Sequence, residues 1–503
     1  MTRGHIVALS FVLLIVGTIY VPLGSAYFCG YDDFLETHRA VYEDEPDPVR
    51  MFTTTHYNTP KYRPLNRGLN LITYLLGDGN PAAFRIRNIA FHLVSVAAVY
   101  GLAFWLFETR IMAVAASLLF GVHPLANQPV AGAVMTNTTA NAFVLLSLFL
   151  FLRAMKGARR PVVALGTSLA ALWLSLFFYE AGIVALGLMY GYIVVESLRQ
   201  KRLMVSRRLL SVLVLGTVLV CGSFFGVRKM FVTQPSVPVP SAIMVRSLAM
   251  YVVALLLPID PVLAHDYLHT PLPSQIRVND VIIAAMAMVV IAIAAGGIVV
   301  ALRRNSIRIK LTRLPWSHIV FLAGGAIFLL LPFLLFTDHP SETYLYPSVA
   351  LWILVGLIFL RALLRKPGAF GAVIALFVLL NAAATWNRNA HVTVCGAAAR
   401  RILSELPVEG SPDGSKQILL ADFPTDPPVV RYGLYGYHGL ASIDVGGPLS
   451  TSAQSAAQTF VRNHSIRVNA VTPDRVSTSC PPSSACFWVH ADGHLSRAGT
   501  GLR

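Results

Sequence analysis

Eleven apolar runs dictate the solvent of this chain, near residues 6–26, 88–107, 111–122, 138–152, 162–178, 181–198, 209–226, 281–302, 317–336, 347–364 and 369–386. About 20 apolar residues in a helix cross a bilayer core, and a helix satisfies its backbone amides within its own segment. The chain is 55% hydrophobic and 13% charged over 503 residues, with a mean hydropathy of +0.63. Soluble proteins carry roughly 25% charged residues. A soluble globular enzyme is therefore excluded, and the pattern predicts an all-α polytopic membrane protein of about 11 transmembrane helices. The runs at 111–122 and 138–152 are short for a full crossing.

The net charge of +16 would suggest nucleic acid, but its placement excludes that partner. Basic residues gather in four acid-free stretches: Arg153 to Arg160, Arg199 to Arg208, Arg303 to Arg313 and Arg361 to Lys366. These read as cytoplasmic loops under the positive-inside rule, in contact with membrane lipids bearing anionic headgroups. A further run near 243–258 is assigned as re-entrant or interfacial, because a full crossing would place Arg303 to Arg313 outside. The resulting topology has its N-terminus in the cytoplasm and its C-terminus outside. The N-terminal run is read as an uncleaved signal anchor despite the small residues Gly24-Ser25-Ala26, since cleavage would release the motif that follows.

That motif is Tyr31-Asp32-Asp33-Phe34-Leu35-Glu36. Adjacent carboxylates at an interface repel each other and resist losing water, which raises the pKa of at least one and suits it to act as a base or metal ligand. The loop 27–87 continues through Glu43, Asp44, Glu45 and Asp47, then turns basic at Lys61, Arg63, Arg67, Arg85 and Arg87. Such a loop can hold an anionic ligand beside a base; a solvated acidic loop is the alternative. No cofactor is assigned, although a divalent metal would find donors here. The topology brings His123 to Gln128, Tyr179-Glu180, 227–280 and Thr337 to Tyr346 to the same face, predicting an extracytoplasmic active site. After Trp386 the composition turns polar. Residues 1–387 are assigned to the membrane domain and 388–503 to a small α/β extracytoplasmic domain. Cys480 and Cys486 suit a small disulfide loop, with two unpaired thiols as the alternative.

Four segments in order carry a resemblance. They are Asp32-Asp33-Phe34-Leu35-Glu36 with Lys61-Tyr62-Arg63-Pro64-Leu65 and Asn88 to His92; Val122-His123-Pro124 with Val130-Ala131-Gly132; Tyr179 to Ile183; and Ser341 to Ser348. Over roughly residues 10–390 the chain resembles the membrane region of tetratricopeptide-bearing O-mannosyltransferases and their bacterial relatives, and more broadly the GT-C superfamily of polyprenyl-phosphate-sugar glycosyltransferases.

The resemblance implies a multi-pass protein of bacterial inner-membrane type that inverts a sugar as it moves it from a polyprenyl-phosphate donor to a hydroxyl on a protein, lipid or glycan acceptor. It also implies Asp33 or Asp32 as the base, and Arg63, Tyr62, Lys61, Glu180, Glu342 and Tyr344 around the donor. Glu36, His123 and Gln128 would meet the acceptor or shape the site. The chain departs from the family pattern at Gln128 and Thr138, where acids are usual, and at Thr136 and Thr343, where arginines are usual. The alternative readings are a non-catalytic scaffold of the same fold or a transporter of lipid-linked glycans.

Overall fold

The computed structural model describes residues 3–28, 33–34, 37, 47–55, 61–232, 241–256, 314–336, 341–364, 366–406, 417–421, 467–471, 484–490 and 494–497. Among them, nine helices are long and apolar enough to cross a bilayer, or ten with one broken pair counted as a span. The protein is an integral, multi-pass, all-α membrane protein. Ten of the eleven expected runs coincide with helices, and the remaining one, 281–302, lies outside the described residues.

The chain opens with α1 (Arg3–Tyr20), which tightens into a 3-10 turn over Val21–Ser25. Two short extramembrane helices follow, α2 (Pro48–Thr53) and α3 (Pro64–Leu76), and then the long α4 (Pro81–Phe107). Each of these three begins with proline, whose missing N–H is one that a helix start leaves unpaired anyway. The next helix, α5 (Arg110–Gly121), is only 12 residues long and breaks at His123. It continues as a 3-10 turn and α6 (Asn127–Ala131), bent by 61° from it.

Further helices complete the described bundle. They are α7 (Asn137–Lys156), α8 (Pro161–Phe178), α9 (Val184–Gln200), α10 (Arg207–Phe231), α11 (Ser241–Leu256), α12 (Trp316–Phe328), α13 (Leu331–Phe336), α14 (Glu342–Leu363) and α15 (Pro367–Glu405). With 20 residues, α7 is a full span that extends the short run read from sequence. At about 24 Å, the 16-residue α11 falls short of the ~30 Å hydrocarbon core.

Small and hydroxylated residues bring the helices together, as expected where lipid removes the hydrophobic drive between them. Ser147 on α7 and Ser168 on α8 each donate to the other's carbonyl oxygen at 2.7 Å. Gly101 on α4 faces the Phe149 ring so closely that an added Cβ would lie 2.4 Å from it. Gly101→Ala is therefore expected to lower the unfolding free energy by about 1–3 kcal/mol through overpacking. Titration from mixed micelles into SDS would read this, and an unchanged midpoint would show that α4 and α7 separate freely here.

The two ends of the bundle differ. At one end Lys156 Nζ donates to Trp105 O (2.7 Å), His318 lies 3.8 Å from Glu196, and the Trp316 ring meets Phe359. Arg153, Arg159, Arg160, Arg199, Lys201, Arg202, Arg361 and Lys366 cluster in the loops and last turns of helices ending there. The opposite end carries the helix break and most of the buried polar side chains.

Beyond the bundle, four short strands form a sheet of order β2-β1-β3-β4: β1 (Gln417–Ala421), β2 (Arg467–Val471), β3 (Ser484–Val489) and β4 (Leu495–Arg497). β1 pairs in parallel with β2 and β3, and β4 runs antiparallel to β3. α15 continues unbroken across residue 387 to Glu405, so the change in composition there is not a break in the helix. Cys486 is disulfide-bonded; Cys480 lies outside the described residues.

Candidate functional site

The break after α5 organises this end of the protein. Val122-His123-Pro124 stops the helix, and His123 Nδ1 accepts from Leu125 N–H at 3.2 Å to cap the turn that follows. Irregular backbone at membrane depth persists only where protein groups satisfy it. Side chains from four other helices do so here. Thr385 Oγ1 donates to Val122 O and Arg388 Nη1 to Pro124 O, both at 2.8 Å. Thr138 Oγ1 donates to Pro129 O, and Arg85 donates to Ala131 O. Asn88 takes Gly132 O (2.6 Å), Arg87 takes Ala133 O (2.9 Å), and Asn70 takes Val134 O (3.1 Å).

This clamp presents one N–H to the acidic motif: Val134 N donates to Asp33 Oδ1 at 3.3 Å. Arg85 Nη2 lies 3.8 Å from Asp33 Oδ2, and the same guanidinium donates to Ala26 O (3.2 Å) and Tyr27 O (2.8 Å). Both side chains are buried, Asp33 at 3% exposure and Arg85 at 0%. Asp33 is thus held from two sides. Asp32 and Glu36 lie outside the described residues.

On the other side of the break, Arg388 Nη2 donates to Glu342 Oε2 at 2.5 Å, and both residues are 1% exposed. Sequence reasoning missed Arg388 because it fell just past the expected domain boundary. A signal was present: Asn381, Thr385, Arg388 and Asn389 recur at helical spacing within and just past the last apolar run. Next to this pair the departures from the family pattern meet. Gln128 Oε1 accepts from Ser341 Oγ at 3.1 Å, and Ser341 Oγ is 2.8 Å from Thr343 Oγ1. Positions 128 and 343, usually an acid and an arginine in the resembled family, are here joined through neutral hydrogen bonds.

A second cluster lies where α8 ends and α9 begins. Arg63 grips Glu180 with two parallel bonds, Nε to Oε2 at 2.8 Å and Nη2 to Oε1 at 3.0 Å. Such fork-to-fork pairing is the strong form of this contact. Burial opposes the Arg63 charge, but Glu180 outweighs it and raises the guanidinium pKa above its ordinary value. The guanidinium also covers the Tyr179 ring, 4.1 Å from its centroid. Tyr179 stacks on Phe333, and Phe333 on Tyr344 at 4.2 Å between centroids. Lys61 is exposed nearby. Tyr62 turns the other way: it is 2% exposed, stacked on Phe231, and its hydroxyl donates to Phe52 O at 2.8 Å.

Among the described residues, no three His, Cys, Asp or Glu side chains converge as metal ligands would. The carboxylates that suggested a cation, Asp32, Glu36 and Glu43 to Glu45, lie outside those residues.

No family model matches the chain. Among curated proteins, the human protein O-mannosyl-transferase TMTC3 is 27% identical over 164 residues, 30% of this chain and 18% of that protein. Over that segment the chain is similar to a protein O-mannosyl-transferase. The match spans less than a fifth of the curated relative's length. Two solved structures are similar in outline. The apo oligosaccharyltransferase of Archaeoglobus fulgidus gives a TM-score of 0.48 at 13% identity over 82% of this chain and 58% of its own. Apo ArnT from Cupriavidus metallidurans gives 0.46 at 14% identity over 96% and 93%.

Proposed function

We propose that the protein is an inverting membrane glycosyltransferase that moves a sugar from a polyprenyl-phosphate donor to an acceptor hydroxyl on the extracytoplasmic side. The observation that carries this reading is the convergence of Asp33, Arg85, Glu342, Arg388 and Gln128 on one broken helix, at the bundle end opposite the basic loops. That charge asymmetry supports placing the site outside under the positive-inside rule.

In this mechanism the acceptor oxygen attacks the anomeric carbon while a carboxylate takes its proton. The bond from carbon to the phosphate oxygen breaks, and the polyprenyl phosphate leaves with the bonding pair. Asp33, buried against Arg85 and Val134 N–H, suits the role of support. Its neighbour Asp32 is then the base. Arg63, held in place by Glu180 through Nε and Nη2, is poised for the departing phosphate. Fixed donors of this kind stabilise the charge that develops on a leaving group. The Tyr179, Phe333 and Tyr344 stack gives the guanidinium a rigid base.

The test is direct. Purified protein in nanodiscs, given short-chain polyprenyl-phosphate sugars, should release polyprenyl phosphate, and Arg63→Ala should reduce that release by about 10²–10³-fold. Absence of release or transfer with every such donor would favour the non-catalytic scaffold.

A further inference from the structure

α15 is 39 residues long, about 58 Å, nearly twice the ~30 Å of a hydrocarbon core. Residues 385, 388, 389, 393, 396 and 399 of its outer half share one helix face toward the site, and Ile402 and Glu405 carry the contact round the helix to the sheet. Thr385 and Arg388 hold the broken segment. Asn389 Nδ2 donates to Ile19 O (2.8 Å) and its Oδ1 accepts from Asn127 (2.7 Å). Thr393 Oγ1 donates to Pro22 O at 3.4 Å.

Two turns beyond Asn389 the helix touches backbone directly. A Cβ on Gly396 would lie 2.7 Å from Tyr27 O and 2.8 Å from Tyr27 N. Tyr27 O is the same oxygen that Arg85 takes. Farther out, Ala399 and Ile402 are buried in one apolar cluster with Phe28, Phe34, Val489 and Leu495. Phe34 follows Asp33 in sequence, so this cluster fixes the far side of the residue that Arg85 and Val134 fix on the near side. Glu405 completes the line: Oε2 accepts from Leu495 N–H at 2.6 Å and lies 2.9 Å from His494 Nδ1.

We propose that the outer half of α15, with the C-terminal sheet clamped to its end, is a strut that sets the position of the Asp33 segment. Gly396 and Glu405 are its positioning residues. Gly396 lets the helix lie against Tyr27, and Glu405 ties β4 over Phe34. The effect on turnover rests on the glycosyltransferase reading, whereas the effect on local order does not.

Hydrogen exchange of the full-length protein in nanodiscs, read by mass spectrometry, separates the two. Gly396→Ala and Glu405→Ala should each speed exchange at residues 26–28 and 33–37 about tenfold or more, with residues 137–156 unchanged. Glu405→Gln keeps an acceptor oxygen for Leu495 N–H and should stay within about twofold of the parent. Val394→Ala, on the exposed face at 58%, should change nothing. In the transfer assay Gly396→Ala should lose turnover, by up to about 10²-fold for a displacement near 1 Å, with donor KM unchanged. Unaltered exchange at 26–28 and 33–37 in both Gly396→Ala and Glu405→Ala would overturn the strut. Faster exchange there, in a protein whose parent shows no transfer, would uphold the strut and remove the enzymatic reading alone.

Discussion

Arg388→Met is expected to destabilise the folded protein by about 3–5 kcal/mol, the usual consequence of removing one partner of a buried ion pair. Glu342 is 1% exposed and receives Arg388 at 2.5 Å, so its charge would be left in a dry interior. The substitution also leaves Pro124 O, at the helix break, without its guanidinium donor. A buried acceptor left unpaired adds roughly 1–3 kcal/mol of its own. The double variant Glu342→Gln with Arg388→Met removes both charges and should recover most of the loss, since replacing a whole buried pair is often nearly neutral. Unfolding free energies of the parent, both single variants and the double would measure the coupling. A single-variant loss below about 1 kcal/mol would mean that Glu342 is carried neutral in the folded state, and that the pair is not a charged anchor.

Asp32→Asn and Asp33→Asn should separate a base from its support. If Asp32 takes the acceptor proton, Asp32→Asn lowers transfer by about 10²–10⁴-fold and leaves local order intact. Asp33→Asn acts differently. The amide can still accept from Val134 N–H, but Arg85 loses its anionic neighbour while keeping the carbonyls of Ala26, Tyr27 and Ala131. Turnover should then fall together with hydrogen-exchange protection at 131–134. Parent-like transfer in both variants would refute the acidic motif as the source of the base. Lost turnover without loosening in Asp33→Asn would instead make Asp33 the base.

The membrane helices were legible because the apolar runs need nothing beyond their own residues to be read. His123-Pro124 announced a turn, yet not that the helix resumes at an angle of 61°. That angle depends on Thr385, Arg388 and Arg85 arriving from distant parts of the chain. The pairing of Arg63 with Glu180 joins residues 117 apart, and no local pattern encodes which of several cations an isolated acid will meet. Tyr62 shows the same limit. Beside Arg63 in sequence, it points into the core against Phe231, because neighbours in an extended stretch face opposite ways. The neutral residues at 128 and 343 read singly as two lost charges. In space Ser341 bridges them, so one polar connection has replaced another.

The unbroken run of α15 from Pro367 to Glu405 also restricts how chains of this architecture can vary in length. Inserting one residue between Asn389 and Gly396 would advance everything beyond it by ~1.5 Å and swing it by about 100°. The residue facing Tyr27 would then look out to solvent, and the acid that meets β4 would leave it. A step of seven residues restores the face to within ~20°, at the expense of lifting the sheet two turns farther from the bundle. Insertions and deletions along this stretch are therefore confined to near-whole numbers of turns.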